Sequence, residues 1–452
     1  MIRSDFHGQI DSETGSALIG SALTGGGRAV LAVSGGADSL ALLAFAGENR
    51  DRFASRGIEF LVTTVDHGLR PEAAGEARQV AAFAADFGLR HRTLGWYAAG
   101  GQGNLSARAR EARYRLLLGA ARDFGAVSVL TAHHQDDQIE THLMAQARGE
   151  GFARLAGMRP CRDLAPGIAL CRPFLDVPKA DLVAALTARG IAWADDPTNR
   201  DPHYARVRWR ELAKALKAHE RLAVLSRICE AQTIRQETEL GIADLLPFVS
   251  VEETGAVAID RQAIVQAAPN AAAGLLSRAL AGAGGASPQA SGREVERLLG
   301  QIRRSDSFAA TLGGCRVVAG KARIDIVREF GRHGPPQIDV TDEEAPIVFD
   351  ERFDIELPDE WVGGRLLPLR ALGKGGVRDA TLPILLDDDG VPRAAHPAAL
   401  ARLGSGVAPL SCHERVSWRL KRDLPLRQDV IQIAAKATEP VGKEMTADYL
   451  PG

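Results

Sequence analysis

The chain has 452 residues, 45% of them apolar and 25% charged, with a formal net charge of −2. That length exceeds one core and points to two or three domains of ordinary globular composition. It excludes a membrane-spanning helix, since no apolar run is long enough, and the near-neutral charge gives no global sign of a nucleic-acid partner. Cysteines stand at 161, 171, 229, 315 and 412 with no C-x-x-C pair. That pattern fits a reducing cytoplasm and argues against a thiolate-held metal or iron–sulfur site. The opening MIRSDFHGQIDSETG carries three acids and no apolar block, so it is not expected to act as a signal peptide.

In chain order, RAVLAV (28–33) reads as a strand and SLALLAFA (39–46) as a helix. EFLVTTV (59–65) reads as a strand ending at DHGLRPE. Residues 72–88 read as a helix, with Val80, Phe83 and Phe87 at helical spacing. HRTLGWY (91–97) reads as a strand, 105–124 as a helix and AVSVLTA (126–132) as a strand. The helix after it, HHQDDQIETHLMAQA, would align His133, Asp137 and Glu140 at i, i+4 and i+7, with Ile139 and Leu143 on another face facing the sheet. This alternation predicts an α/β fold: a parallel sheet with helices on both faces. Residues 218–305 read as all helical and 306–330 as short strands. HGPPQ (333–337) reads as a linker, and the remainder as a Gly/Pro/Asp-rich α+β mixture. Within it, VSWRLKRDLPLR (416–427) is basic and could be an edge strand or an RNA contact.

Ligands of such sheets lie beyond the C-terminal ends of the strands. The polar clusters fall there. Ser34, Gly35, Gly36, Ala37, Asp38 and Ser39 follow the first strand. Two glycines let backbone N–H groups approach an anion, and the two serines add hydroxyl donors. Asp38 would repel phosphates unless it holds Mg²⁺ bridging to them. A P-loop is excluded, since Gly26 stands where Lys should follow Gly20 and Gly25. A dinucleotide loop is excluded, since Gly35 and Gly36 are adjacent. The His133–Asp137–Glu140 stripe is a site-like grouping of ionisable side chains. It also admits two other readings, a solvated helix start and a His/Asp metal site. Residues 200–221 hold seven bases and three acids. There YARVRWRELAKALK puts Arg206, Arg210, Lys214 and Lys217 on one stripe beside an apolar face of Ala205, Trp209, Leu212 and Leu216. Such a stripe is a solvated face or a phosphate-binding edge.

SGGADS (34–39) resembles the pyrophosphate loop of the PP-loop ATP pyrophosphatases, which cleave ATP between its α and β phosphates. With it come VDHGLRPE (65–72), AREARY (109–114), TAHHQDDQIET (131–141), ARGEG (147–151), RPFLDV (172–177) and WADDPTNRD (193–201). In this order, across residues 25–217, the set is similar to bacterial tRNA(Ile)-lysidine synthases. The resemblance implies a Rossmann-like PP-loop catalytic domain over 1–217, a mainly helical tRNA-binding domain over 218–332 and a mixed α+β domain over 338–452. It implies that ATP adenylates the C2 oxygen of the first anticodon cytidine of tRNA(Ile) with anticodon CAU. The ε-amine of L-lysine then displaces AMP, and reading changes from AUG to AUA.

By the same resemblance Ser34 to Ser39 would bind ATP, and Asp38 would position Mg²⁺. His133 would sit by the α-phosphate. Arg113 would meet charge on the transferring group. Asp137 and Glu140 would bind lysine, and Arg206, Arg208, Arg210 and Lys214 would bind tRNA. The expected setting is the cytoplasm, with no membrane partner; the sequence leaves the oligomeric state open, a dimer included. Val207, Glu150 and Phe174 depart from the family pattern, which has Asn, Ser and Leu there. Two alternatives stay open at this point. One is another PP-loop enzyme, such as a tRNA thiolase or an ammonia-using amidating synthetase. The other is a non-catalytic tRNA- or nucleotide-binding protein.

Overall fold

The run GRAVLA folds as β1 (Gly27–Ala32), with both of its faces buried. Ala29, Leu31 and Val33 join one apolar cluster; Val30 and Ala32 join a second on the opposite side. Period-two alternation with both faces apolar is what an interior parallel strand requires. The computed structural model describes residues 11–23, 27–68, 72–96, 105–194, 205–332, 334–340, 346–357, 361 and 363–425. The chain divides into two units, Met1–Gln236 and Glu237–Gly452.

The first unit opens with α1 (Ser12–Ser21). After β1 come α2 (Ala37–Glu48), α3 (Arg50–Ala54), β2 (Ile58–Asp66), α4 (Ala73–Asp86), β3 (Arg90–Gly95), α5 (Leu105–Phe124) and β4 (Ala126–Leu130). Then follow α6 (Gln135–Ala147), α7 (Phe152–Leu155), β5 (Cys161–Ala165), β6 (Ile168–Cys171), α8 (Lys179–Ala188), α9 (Ala205–Ala215) and α10 (Ala218–Leu245), whose residues from Glu237 on belong to the second unit. The sheet order is β3-β2-β1-β4-β6-β5. Its pairs are parallel except β5 with β6. That hairpin turns at Pro166 and Gly167, where Gly167 has φ +73°, as Pro-Gly turns require. The chain departs from β1 toward β2 on one side and meets β4 on the other, which makes the gap between β1 and β4 the switch point of the sheet. Leu42, Leu43, Leu182 and Leu186 from α2 and α8 cover one face; Leu117 and Ala121 from α5 cover the other.

Two local expectations are corrected. Ile139 and Leu143 do not dock on the sheet; they pack with Ala213, Val224 and Ile228. On α9 the buried residues are Val207 and Ala213, while Leu212 is 54% exposed. The helix is turned so that its arginines reach carboxylates on α6. Cys161 and Cys171 pair across β5–β6 as a disulfide, a pairing that their spacing does not announce.

In the second unit come β7 (Val249–Val251), β8 (Val257–Asp260), α11 (Arg261–Gln266), α12 (Pro269–Gly284) and α13 (Gly292–Arg304). They are followed by β9 (Phe308–Leu312), β10 (Cys315–Ala319) and β11 (Arg323–Arg328). The strands form an antiparallel sheet in the order β7-β8-β11-β10-β9. The stretch 218–305 is therefore not all helical. β7 and β8 are short, and β8 gains its place by pairing with β11, far along the chain.

The rest comprises β12 (Ile338–Asp339), β13 (Ile347–Phe349), β14 (Phe353–Glu356), β15 (Arg365–Pro368), β16 (Pro383–Leu386), β17 (Pro392–Ala395), β18 (Ala408–Pro409), β19 (Ser411–Glu414) and α14 (Val416–Lys421). Two small sheets, β12-β15-β16-β17-β18 and β13-β14-β19, enclose a core with Phe349, Phe353, Leu366 and Ile384. VSWRLK is a helix and not an edge strand, because Val416 and Leu420, one turn apart, sink into the cluster around α12. Residues 426 and 427 of that stretch lie outside the described residues. Among the described residues no helix is long and apolar enough to cross a membrane.

Phe45 is buried and meets Phe174 edge to face at 5.9 Å. Phe45→Ala is expected to cost about 3–5 kcal/mol in urea unfolding. Leu212→Ala, on the exposed side of α9, is expected to stay within about 0.5 kcal/mol of the parent.

Candidate active site

At the end of β1 the chain turns through Ser34, Gly35 and Gly36 into α2. Gly35 has φ +85°, a conformation that side chains resist. Ser39 Oγ donates to Gly36 O at 2.9 Å and accepts from Ser34 N at 3.1 Å. The hydroxyl thereby staples the loop to the first turn of α2. The first N–H groups of that helix have no partner within it and face the ligand side, so the loop is an anion cradle. A cavity of about 250 Å³ lies beside the loop, lined by Gly35, Glu76, Val80, Trp193 and Ala194 among others. Of WADDPTNRD, residues 195–201 lie outside the described residues, as do 69–71 of VDHGLRPE.

Asp38 stands in the first turn of α2. Its Oδ2 accepts from Lys179 Nζ at 3.2 Å and lies 3.5 Å from His134 Nε2. Its Oδ1 is buried and has no partner among the described residues. Burial works to raise the Asp38 pKa, but the His134 hydrogen bond and the charges of His134 and Lys179 outweigh it and hold the pKa below the usual range.

His134 caps α6. Its Nδ1 accepts from Asp137 N at 3.4 Å, while Asp137 Oδ2 accepts from His134 N at 3.1 Å. Burial would lower the His134 pKa; Asp38, Asp137 and Asp136 overturn that and raise it. His133 is placed differently from the expected stripe. α6 begins at Gln135, so His133 precedes the helix and its Nδ1 meets Thr131 Oγ1 at 2.9 Å. Burial first, then Arg172, Arg113 and Arg206, push its pKa down to about 3 against the pull of Asp137.

Asp137 and Glu140 are 8% and 1% exposed. Arg206 donates to Asp137 Oδ1 at 2.8 Å and to Glu140 Oε2 at 3.2 Å; Arg210 donates to Glu140 Oε1 at 3.1 Å. Two of the four cationic side chains expected to face RNA thus turn inward, because buried carboxylates demand counter-charges. Lys214 pairs with Glu211 at 2.8 Å on the surface, and Arg208 is exposed. Arg113 lies near His67 and His133, where burial lowers its pKa. The structure therefore brings Asp38, His133, Arg113, Asp137 and Glu140 to the C-terminal ends of β1, β2 and β4.

It also adds residues that the motif reading passed over. His134 bridges the two helix starts. Lys179 salt-bridges Asp38 and, through its N–H, meets Asp136 Oδ2 at 2.9 Å. Arg221 closes on Asp136 Oδ1 at 2.8 Å. Lys179 follows the quoted RPFLDV by one residue after Pro178, so its sequence signal was adjacency alone. Among the described residues no group of three His, Cys, Asp or Glu side chains forms a metal cage.

Residues 12–216 match the family described as the PP-loop domain. The first unit therefore carries a PP-loop domain. Curated relatives extend the match. A tRNA(Ile)-lysidine synthase of Methylobacterium sp. (strain 4-46) is 40% identical over 333 residues, 72% of this chain and 94% of the relative. That of Methylobacterium nodulans is 41% identical over 299 residues, covering 64% and 86%. That of Bradyrhizobium diazoefficiens is 54% identical over 189 residues, 42% of this chain and 52% of the relative. The chain thus spans about half the length of the last and nearly all of the first. It belongs to the tRNA(Ile)-lysidine synthase family.

In the unfolded chain His133 takes up a proton near its ordinary pKa of 6.5, and in the folded chain only near 3. Between those values the unfolded state binds more protons, so stability falls as pH falls. The limiting slope is about 1.4 kcal/mol per pH unit. Unfolding midpoints measured from pH 7 to pH 4 are expected to drop less steeply for His133→Gln than for the parent.

Proposed function

We propose that the chain is a tRNA(Ile)-lysidine synthetase. ATP adenylates the C2 oxygen of the first anticodon cytidine of tRNA(Ile) with anticodon CAU, releasing diphosphate. The ε-amine of L-lysine attacks C2, and the C2–O bond breaks to release AMP. The observation that carries this reading is the pairing of two sites of opposite preference. An anion cradle at Ser34–Ser39 stands beside two buried carboxylates, Asp137 and Glu140, and His134 links them. ATP suits the first. A substrate with two amines suits the second, which already holds guanidinium groups in this structure.

The donor set at Asp38 fits Mg²⁺, since Oδ1 is a buried oxygen without a partner among the described residues. Bound there with phosphate oxygens, the ion would supply charge neutralisation. Lys179 would move from Asp38 to a phosphate. Arg113 would stabilise negative charge on the transferring group. His133 stays neutral at working pH and positions that group. Asp137 or Glu140 accepts the proton that the ε-amine loses before attack. Arg208 and Lys214 are exposed on α9, where phosphates of a bound tRNA would reach them. Arg206 and Arg210 reach RNA only by leaving their carboxylates.

The test uses purified protein, ATP, Mg²⁺, L-lysine and transcripts of the minor isoleucine tRNA and the elongator methionine tRNA. Mass spectrometry of digests is expected to find lysidine in the isoleucine transcript alone. AMP and diphosphate without lysidine would shift the reading to another PP-loop reaction. Glu140→Gln is expected to lower lysidine formation by about a hundredfold or more while ATP still binds.

A further inference from the structure

Glu140 lies in the second turn of α6 with 1% of its surface exposed, and both of its oxygens are taken. Arg206 donates to Oε2 at 3.2 Å and Arg210 to Oε1 at 3.1 Å. Asp137 accepts from Arg206 at Oδ1, 2.8 Å away, and from the backbone N–H of His134 at Oδ2, 3.1 Å away. Each carboxylate oxygen of the pair has a donor, and the Arg206 guanidinium spans both groups. An amine arriving from solvent can touch Glu140 only where one of these guanidiniums gives way.

The arginines have more room to move than the carboxylates. The side chains of Arg206 and Arg210 are 40% and 27% exposed, against 11% and 2% for Asp137 and Glu140. The helix that carries them sinks little of its own surface: Val207 and Ala213 are buried, whereas Leu212, Arg208 and Lys214 are exposed. Arg206, Arg210 and Lys214 stand at i, i+4 and i+8, one stripe of α9. Turned outward, the two guanidiniums would join Lys214 in a row of cations of the kind that follows a phosphate backbone. Buried carboxylates must keep counter-charges during such a move. L-Lysine carries two amines for the two carboxylates, so the exchange leaves no buried charge unpaired.

We propose that Arg206 and Arg210 form a latch that keeps Asp137 and Glu140 closed to L-lysine until phosphodiester groups of bound RNA draw the two guanidiniums away. This rests on the lysine- and RNA-using reading above. Lysine and RNA then bind with positive coupling, and linkage makes the factor the same in both directions.

The experiment is equilibrium dialysis of labelled L-lysine against the full chain alone, with a transcript of the minor isoleucine tRNA, and with ATP and Mg²⁺ in place of the RNA. The transcript is expected to tighten lysine binding about tenfold, and saturating lysine to tighten transcript binding by the same factor. Arg210→Gln is expected to bind lysine more tightly than the parent when RNA is absent, and to lose most of the coupling. A second readout needs no variant: the Nε–H resonances of Arg206 and Arg210 in the parent should shift at saturating lysine. Lysine binding that leaves those resonances unmoved, or that is equally tight with and without the transcript, would overturn the proposal alone. Equal tightening by ATP would overturn it by making ATP phosphates the group that opens the carboxylates. A parent that binds the transcript but lysine under no condition, or lysine but no transcript, would overturn the functional reading and this proposal together.

Discussion

One imidazole sets the geometry of the candidate site. His134 caps α6 through Asp137 and lies against Asp38 in the first turn of α2. Two helix starts that follow different strands are thereby held at one point, at the gap between β1 and β4 where the sheet changes direction. Each start brings its own polar character. The α2 start has free N–H groups and favours anions. The first turns of α6 carry Asp136, Asp137 and Glu140. Without the bridge these would be two unrelated helix termini.

Charge compensation explains why the surrounding elements take their positions. Asp136, Asp137 and Glu140 sit where solvent is scarce, so each has a cation: Arg221, Arg206 and Arg210. Those arginines lie on α9 and the start of α10, and Ile139, Ala213, Val224 and Ile228 fill the space between. The same logic recurs in the second unit, where fully buried Asp350 accepts from Arg328 at 2.9 Å and Arg352 at 2.8 Å. A carboxylate there is tolerated only because two guanidiniums and the N–H of Ala286 surround it.

The legible part of the first unit was local. β1, β2 and β4 each carry an apolar run, and each following helix its own period, so type and order could be read within one or two residues at most ends. SGGADS could be read because its backbone demands are written in residue types: glycine where φ is positive, small hydroxyl residues where the turn closes. The β5–β6 hairpin, β7 and β8 were not legible. They are short, and pairing with partners elsewhere in the chain stabilises them more than their own composition does.

The residues of the site divide the same way. By itself the sequence determined the strand–loop–helix units, the phosphate-type loop, and the presence of Asp137 and Glu140 on one helix. The tertiary structure alone decided which histidine meets Asp38, that Lys179 joins it, and that Arg206 and Arg210 face inward. Spacing along a helix gives direction around its own axis. It does not say which neighbour that direction meets, or where the helix begins. His133 and His134 are adjacent in sequence. The start of α6 at Gln135 makes His134 the cap and leaves His133 against Thr131. Packing set that start, because the cap, the buried carboxylates and their arginines are satisfied only together.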